Sequence, residues 1–244
     1  MLGLPSQVTA CLFDLDGVLT QTALVHNAAW KQTFDVFLKS WADRHELPFV
    51  PFDSAADYHK YVDGRQRADG VRTFLASRGI TLPEGDPDDA PDRETVNGVG
   101  NRKNLLVLQK IKEGAVQVYP GSVEYLKAAK AAGLRRAVVS ASANCKDVLE
   151  AAGIADLLEA RVDGVVAREL GLPGKPAPDT FLKGAELLGV DPANCAVYED
   201  AQAGVAAGRA GGFGIVIGVD RVDQAEALRE HGADVVVKDL KDLL

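Results

Sequence analysis

This sequence has few cysteines, fewer basic than acidic residues and no long hydrophobic run. Its three cysteines, Cys11, Cys145 and Cys195, are widely spaced and odd in number, which argues against a disulfide framework and favours reduced thiols in a cytoplasmic protein. Nowhere do about 18 apolar residues stand together, and the N-terminus lacks a basic segment followed by an apolar run. We therefore expect neither export nor a membrane partner.

The charge balance excludes a further class of partner. The chain has 27 Lys and Arg against 35 Asp and Glu, a net charge of −8 without a basic stripe, which disfavours a nucleic-acid partner. At 244 residues with 47% hydrophobic content, the chain is long enough for one large α/β domain or for a core with a smaller insert. We expect a monomer, although a dimer stays open.

Two acidic residues follow the first buried strand that the sequence predicts. Val8–Leu12 is a continuous apolar run typical of a parallel strand buried on both faces, and an Asp-Leu-Asp-Gly sequence comes directly after Phe13. Asp14 and Asp16 share a face because residues i and i+2 of an extended chain do so, and Gly17 allows a sharp turn. The pair suits Mg²⁺. The alternative is that the motif is turn chemistry alone.

The rest of the chain divides into a helical block and an alternating block. A helix is predicted over 22–45 and another over 94–113, with an exposed loop at 83–93. From Tyr119 onward, predicted strands at 134–139, 159–162, 195–198, 214–219 and 233–237 alternate with helices, which is typical of βαβ units. A long turn is predicted over 163–174. The fold class is therefore α/β, a doubly wound parallel sheet formed by residues 1–21 and 118–244, with a helical domain at 22–117 inserted as a lid.

Polar residues follow three further predicted strands at the same edge of the sheet. Ser140, Ser142 and Asn144 precede a helix, where hydroxyl and amide groups suit a phosphate, although capping of that helix explains Ser142 or Asn144 equally well. Lys175 lies beside prolines that fix its backbone, and Glu199 with Asp200 forms a second acidic pair. Together these groups are the parts that phosphoryl transfer requires.

In the helical block, Thr22, His26 and Trp30 recur at every fourth position. They form one helical face that begins six residues after Asp16, so we expect this face to point back into the acidic site. Core packing is the alternative for Trp30, and an ordinary solvated surface is the alternative for Arg67.

The motifs, taken in order, resemble those of the haloacid dehalogenase superfamily of phosphotransferases. The matching segments are Phe13–Val18, Ser140–Ser142, Lys175–Pro176, and Glu199–Asp200 with Gly204. Further details resemble the β-phosphoglucomutase branch of that superfamily: Thr22, His26, Trp30, Gly64, Arg67 and Lys103 in the insert and Asn144 in the core. The resemblance implies a Rossmann-like core with an inserted helical cap and a small phosphosugar as the substrate.

The resemblance also implies a reaction. Asp14 is expected to be the nucleophile and Asp16 the general acid and base, with Mg²⁺ held by Asp14, the backbone carbonyl of Asp16, Glu199 and Asp200. A sugar bisphosphate would form, change its orientation in the site and return its other phosphate to Asp14, so that β-glucose 1-phosphate becomes glucose 6-phosphate. A sugar-phosphate phosphatase using the same residues is the alternative.

Binding roles follow in the same way. The transferring phosphoryl group would be bound by Ser140, the Ala141 amide and Lys175. Substrate binding is expected from Thr22, His26, Trp30, Gly64, Arg67, Lys103, Ser142 and Asn144, with Arg67, Ser142 and Asn144 on the distal phosphate and with His26 and Lys103 linking cap closure to Asp16. A non-catalytic phosphoacceptor module of the receiver type also has such an acid cluster, but it needs no helical lid.

Overall fold

The computed structural model describes residues 2–114 and 116–244. Its described residues include a six-stranded parallel sheet with the order β3-β2-β1-β4-β5-β6. The strands are β1 (Ala10–Phe13), β2 (Arg135–Val139), β3 (Ala160–Val162), β4 (Cys195–Glu199), β5 (Ile215–Val219) and β6 (Val235–Val237). Because the chain order reverses between β1 and β4, this is the doubly wound topology that the sequence predicted, and the fold-class prediction is confirmed.

The central strands form because their residues are apolar on both faces. Every residue of β1, β4 and β5 is buried. The register pairs Phe13 with Val138 of β2 on one side and with Tyr198 of β4 on the other. Strands β1, β2 and β4 are parallel, so their carboxyl ends meet at one edge of the sheet. The residues that follow Phe13, Val139 and Glu199 are thereby brought to the same place.

Helices flank the sheet and make up the insert between β1 and β2. They are α1 (Ala23–His45), α2 (Arg67–Ser77), α3 (Val96–Lys112), α4 (Pro120–Ala131), α5 (Cys145–Ala151), α6 (Gly164–Glu169), α7 (Asp179–Leu188), α8 (Gln202–Ala210) and α9 (Ala225–Glu230). None of the helices in the described part of the chain is both long and apolar enough to cross a membrane. The three cysteines are buried and free.

One prediction of local structure was wrong. The sequence predicted a long turn over 163–174, but the structure has helix α6 at Gly164–Glu169. The Asp163 carboxylate accepts hydrogen bonds from the amides of Val165 and Val166, which caps the first turn. This N-cap compensates for the glycine at the first helical position.

The chain divides into two compact units. Unit 1 comprises Met1–Thr22 and Val116–Leu244 and contains the sheet, and unit 2 comprises Ala23–Ala115 and contains α1, α2 and α3. The domain boundaries predicted from the sequence were at 21/22 and 117/118.

Unit 2 has its own aromatic core. Phe34 of α1 lies 4.2 Å from Phe74 of α2 and 5.3 Å from Phe52, measured between ring centroids. The loop predicted at 83–93 lacks regular structure, yet it is anchored by one buried carboxylate. Asp89 is only 6% exposed and accepts hydrogen bonds from the Thr95 hydroxyl at 2.6 Å and from Arg93 at 3.0 Å.

Candidate active site

The site in unit 1 is built around three carboxylates at the carboxyl edge of the sheet. Asp14 directly follows β1, Glu199 is the last residue of β4, and Asp200 comes next. One carboxylate oxygen from each of the three lies within 4.8 Å of the others. The chain keeps this register because the Asp14 amide donates to the Tyr198 carbonyl at 2.9 Å, which extends the strand pairing by one residue.

Lys175 lies between two of these carboxylates. Its ammonium donates to Asp14 Oδ1 and to Glu199 Oε1, at 2.6 Å each, and to the Val139 carbonyl at 2.9 Å. The side chain is almost fully buried. Burial disfavours the charged form, but the two carboxylates outweigh it and hold the pKa of Lys175 well above its ordinary value. Lys175 is therefore a fixed positive charge in the site.

The Glu199 carboxylate is held from two sides. Lys175 binds one oxygen, and the Ala201 amide donates to the other at 3.0 Å. Burial raises the pKa of Glu199 to about 7, against the lowering effect of Lys175. Gly204 is required beside it, since a Cβ there would lie 1.8 Å from Glu199 Oε1.

Asp16 lies on the turn that leaves β1. Gly17 makes this turn at a φ of +88°, and a Cβ on it would lie 1.7 Å from Asp200 Oδ2, so the close approach needs glycine. The Thr22 hydroxyl donates to Asp16 Oδ1 and lies 2.6 Å from the Thr20 hydroxyl. The structure therefore places Thr22 with Asp16 in unit 1, one residue before α1 begins.

The hydroxyl loop after β2 has a regular internal geometry. Ser140 is buried, and its hydroxyl accepts from the Ser142 amide at 3.1 Å. The Ser142 hydroxyl accepts from the Asn144 amide at 3.2 Å. Asn144 is the N-cap residue of α5, but its side chain makes no capping hydrogen bond there. The capping alternative therefore does not hold for the Asn144 side chain, whereas the Ser142 hydroxyl does stabilise this turn. Ala141 lies between the two serines.

The remaining predicted site residues lie in unit 2. The Lys103 ammonium, from α3, lies 2.8 Å from His26 Nδ1 and 4.9 Å from the ring centroid of Trp30, both on α1. Burial, with the nearby Lys103 charge, lowers the pKa of His26 well below its ordinary value. The imidazole is thus neutral, and Lys103 donates to its Nδ1. This arrangement brings three predicted residues together.

Gly64 and Arg67 lie at the start of the second helix of unit 2. Gly64 has a φ of +68° and precedes α2, which begins at Arg67. The Arg67 guanidinium donates to Asn101 Oδ1 of α3 at 3.2 Å.

Arg221 and Gln224, which lie on the loop after β5, were not predicted from the sequence. Arg221 Nε donates to the Gly17 carbonyl, and Gln224 Nε2 donates to the Asp200 carbonyl, at 2.8 and 2.9 Å. The topology could have predicted them, because this loop also leaves the carboxyl end of a strand in the same sheet.

Comparison with known proteins gives a consistent result. A family model described as haloacid dehalogenase-like hydrolase matches residues 8–212. The chain is 57% identical to a protein named β-phosphoglucomutase from Mycobacterium bovis, over 100% of this chain and 94% of that one. It is also 30% identical to hexitol phosphatase A from Escherichia coli, over 95% and 91% of the two chains. A crystal structure of β-phosphoglucomutase from Clostridium difficile superposes with a TM-score of 0.76 at 26% identity, covering 97% of this chain and 93% of the other.

Proposed function

We propose that this chain, which belongs to the haloacid dehalogenase-like hydrolase family, is a Mg²⁺-dependent phosphosugar mutase that interconverts β-glucose 1-phosphate and glucose 6-phosphate. The family membership confirms the resemblance drawn from the four sequence motifs. The observation that carries the proposal is the buried cluster of Asp14, Lys175, Glu199 and Asp200, in a chain that is 57% identical to a protein named β-phosphoglucomutase over 94% of that protein.

The first chemical step uses Asp14. A carboxylate oxygen of Asp14 attacks phosphorus, the bond from phosphorus to the leaving oxygen breaks, and its electron pair stays on that oxygen. Asp16 supplies the proton that this oxygen takes up, and it later removes a proton from the sugar hydroxyl that attacks the aspartyl phosphate. The Thr22 hydroxyl, bound to Asp16 Oδ1, orients the carboxyl group for both transfers.

The carboxylate cluster fits a Mg²⁺ ion. Asp14, Glu199 and Asp200 offer oxygen atoms within 4.8 Å of one another, and Mg²⁺ prefers oxygen ligands. Together with the Asp16 backbone carbonyl, these residues would hold the ion. When bound, it would neutralise negative charge on the phosphoryl oxygens.

The phosphoryl group needs further positive charge and hydrogen-bond donors. Lys175 supplies the charge, and the Ser140 hydroxyl and the Ala141 amide supply donors, a type of stabilisation worth about 3–4 kcal/mol for one donor. Ser142 and Asn144 of unit 1 bind the second phosphate of the bisphosphate, and Arg67 is the residue of unit 2 that we propose as a phosphate ligand. His26, Trp30, Gly64 and Lys103 contribute to sugar binding from unit 2.

The mutase reaction needs two phosphoryl transfers, one from a sugar bisphosphate to Asp14 and one from Asp14 to the next sugar. A bisphosphate donates one phosphate to Asp14, and the resulting monophosphate leaves as product. The next β-glucose 1-phosphate takes the phosphoryl group from Asp14 through its 6-hydroxyl, which regenerates the bisphosphate. Net turnover therefore depends on a trace of bisphosphate and releases no inorganic phosphate.

A paired assay tests the proposal. The protein is given β-glucose 1-phosphate and Mg²⁺, with and without a trace of glucose 1,6-bisphosphate, and glucose 6-phosphate and inorganic phosphate are followed together. We expect glucose 6-phosphate in excess of released phosphate, with stimulation by the bisphosphate. Asp14→Asn is the matched control that should form neither product.

A phosphatase is the second candidate, favoured by the similarity to hexitol phosphatase A. In that case Asp16 activates water instead of a sugar hydroxyl. Release of phosphate without a bisphosphate requirement would select it and overturn the mutase. Formation of neither product would exclude β-glucose 1-phosphate as the substrate. The three buried thiols fit a cytoplasmic location, which we include in the proposal.

A further inference from the structure

The loop after β5 reaches the turn that carries Asp16. Arg221 lies on this loop, and its Nε donates to the Gly17 carbonyl at 2.8 Å. Its Nη1 donates to the Lys238 carbonyl at 2.8 Å, and the same nitrogen lies 3.4 Å from Asp239 Oδ2. One guanidinium thus joins the turn after β1 to the segment after β6.

Arg221 is also held by an aromatic ring. Its guanidinium carbon lies 3.5 Å from the ring centroid of Tyr119, and its side chain is only 14% exposed. Stacking on an aromatic face and donation from a planar fork are properties that arginine has and lysine lacks. The geometry therefore uses arginine as a rigid connector. A solvated surface charge would show none of these contacts.

The turn that Arg221 holds leads to Asp16 through short hydrogen bonds. The Gly17 amide donates to the Thr20 carbonyl at 2.7 Å, and the Thr20 amide donates to the Leu15 carbonyl at 2.9 Å. The Thr20 hydroxyl lies 2.6 Å from the Thr22 hydroxyl, which binds Asp16. Movement of the Gly17 carbonyl would therefore be passed to the side chain that we assign to proton transfer.

We propose that Arg221 is a positioning residue for proton transfer by Asp16: it fixes the turn at residues 17–20 and thereby the carboxyl group of Asp16. This inference rests on the proposed function, since it needs Asp14 as the nucleophile and Asp16 as the acid. The contacts of Arg221 are with the Gly17 and Lys238 carbonyls, with Asp239 and with the ring of Tyr119. Its loss should impair proton delivery more than attack by Asp14.

That distinction can be measured with leaving groups of different basicity. A p-nitrophenolate leaves with little help from an acid, whereas a phenolate leaves more slowly and gains more from protonation. Loss of correct Asp16 placement should therefore lower kcat/KM for phenyl phosphate more than kcat/KM for p-nitrophenyl phosphate, since this ratio reports departure of the aryl oxygen and not the later loss of phosphate from Asp14. A loss of folded protein would lower both rates by the same factor.

The experiment compares Arg221→Ala, Arg221→Lys and the wild type on both aryl phosphates with Mg²⁺. For Arg221→Ala we expect a fall in kcat/KM for phenyl phosphate about tenfold larger than the fall for p-nitrophenyl phosphate, since a general acid contributes roughly 10²–10⁴-fold when correctly placed. Arg221→Lys should show a smaller change of the same kind, because it retains a charge and a donor but loses the fork. Arg209→Ala is the control, since this arginine is 62% exposed.

A second readout does not depend on activity. Amide hydrogen exchange of the segment 14–22 should be faster in both Arg221 variants than in the wild type, because the Gly17 and Thr20 amides are protected by the turn. Equal falls on the two aryl phosphates in Arg221→Lys would overturn the inference, as would unchanged exchange in this segment. If Arg221→Ala does not fold, the lysine variant carries both measurements.

The assays separate this inference from the proposed function. Aryl phosphates require no sugar recognition, so wild-type protein that hydrolyses them but does not convert β-glucose 1-phosphate would refute the mutase while leaving Arg221 testable. Wild-type protein that acts on neither class would refute the mutase proposed for β-glucose 1-phosphate. The exchange measurement would then decide alone whether Arg221 holds the turn.

Discussion

Each unit of the molecule buries one lysine of the predicted site, but the two lysines have different kinds of partner. Lys175 in unit 1 lies between two carboxylates, at 2.6 Å from each. Lys103 in unit 2 lies beside an imidazole at 2.8 Å and over the indole of Trp30 at 4.9 Å. Lys175 is bound by two carboxylates, whereas Lys103 donates to an imidazole and lies over an indole ring.

The difference indicates what each site can do. In unit 1 the carboxylates keep Lys175 protonated, so it offers a permanent charge beside the atoms of Asp14 that we expect to react. In unit 2 the burial of His26 keeps its ring neutral, so the ring accepts a hydrogen bond from Lys103. Unit 1 therefore has a permanent charge in the cluster that we propose for the reaction, whereas the Lys103 cluster of unit 2, which we propose for substrate binding, contains a neutral imidazole.

The largest effect should come from Asp14→Asn. Because a carboxamide cannot act as the nucleophile, turnover should fall by about 10⁴-fold or more, the scale seen when a catalytic nucleophile is removed. Lys175 keeps its bond to Glu199 at 2.6 Å, so the variant should remain folded without Mg²⁺. Steady-state assays and denaturant unfolding check the two parts. Activity within tenfold of wild type would refute the nucleophile assignment.

Asp16→Ala should have the next largest effect. We expect phosphorylation of Asp14 by a bisphosphate to persist slowly, while kcat for the sugar phosphate falls by about 10²–10⁴-fold, the usual contribution of general acid and base catalysis. Rapid-quench measurement of phosphoenzyme alongside steady-state turnover separates the two steps. An unchanged rate of sugar turnover would exclude Asp16 from proton transfer.

Replacing each lysine by methionine compares the two sites directly. Lys175→Met leaves two buried carboxylates without their cation, which should lower the free energy of unfolding by about 3–5 kcal/mol. Near pH 7 we expect a loss at the lower end of this range, about 3 kcal/mol. Burial already raises the pKa of Glu199 to about 7, and protonation of Glu199 relieves its repulsion with Asp14. Denaturant unfolding in a chelator checks this value.

Lys103→Met is the matched variant in unit 2. It removes a donor from a neutral ring, so we expect a smaller loss of about 1–2 kcal/mol, within the range for an unsatisfied buried polar atom. Tryptophan fluorescence follows this unit selectively, since the chain's two tryptophans, Trp30 and Trp41, both lie on α1. Equal losses in the two variants would contradict the distinction drawn between the lysines.

The sequence predicted the sheet well because buried parallel strands have a simple pattern. A strand such as β4, which is buried at every residue, favours apolar side chains along its length. Its charged residue is the last one, Glu199, and Asp200 follows directly after the strand. The same pattern predicted the edge at which Asp14 and Lys175 meet. The catalytic roles of these residues stay predictions until the variants are measured.

What the sequence did not predict depends on single long-range contacts. Arg221 lies in a polar segment with no periodicity, and only the folded chain brings it within 2.8 Å of the Gly17 carbonyl, 204 positions away. Helix α6 depends on the Asp163 cap, which overrides a glycine-containing start. Thr22 was predicted to face the acidic site from one helix shared with His26; its hydroxyl does bind Asp16, but it lies one residue before that helix begins.

The smallest predicted effect concerns the neutral ring of His26. The pKa of His26 is about 6.5 in the unfolded chain and lies well below that in the folded protein. At a pH between these two pKa values, the unfolded chain binds more protons than the folded one. Stability of unit 2 should therefore be complete above about pH 6.5 and should fall below it, by up to about 1.4 kcal/mol per pH unit for one proton. Denaturant unfolding followed by tryptophan fluorescence between pH 5.5 and 7.5 measures this slope.

His26→Gln should remove this contribution to the slope, whatever its effect on absolute stability, because glutamine takes up no proton in this range. His45→Gln is the control, since it removes an exposed histidine from the same helix. If wild type and His26→Gln show the same slope, His26 is not the buried neutral partner of Lys103. The contrast between the two lysines would then be wrong for unit 2, since Lys103 would not be bound to a neutral ring.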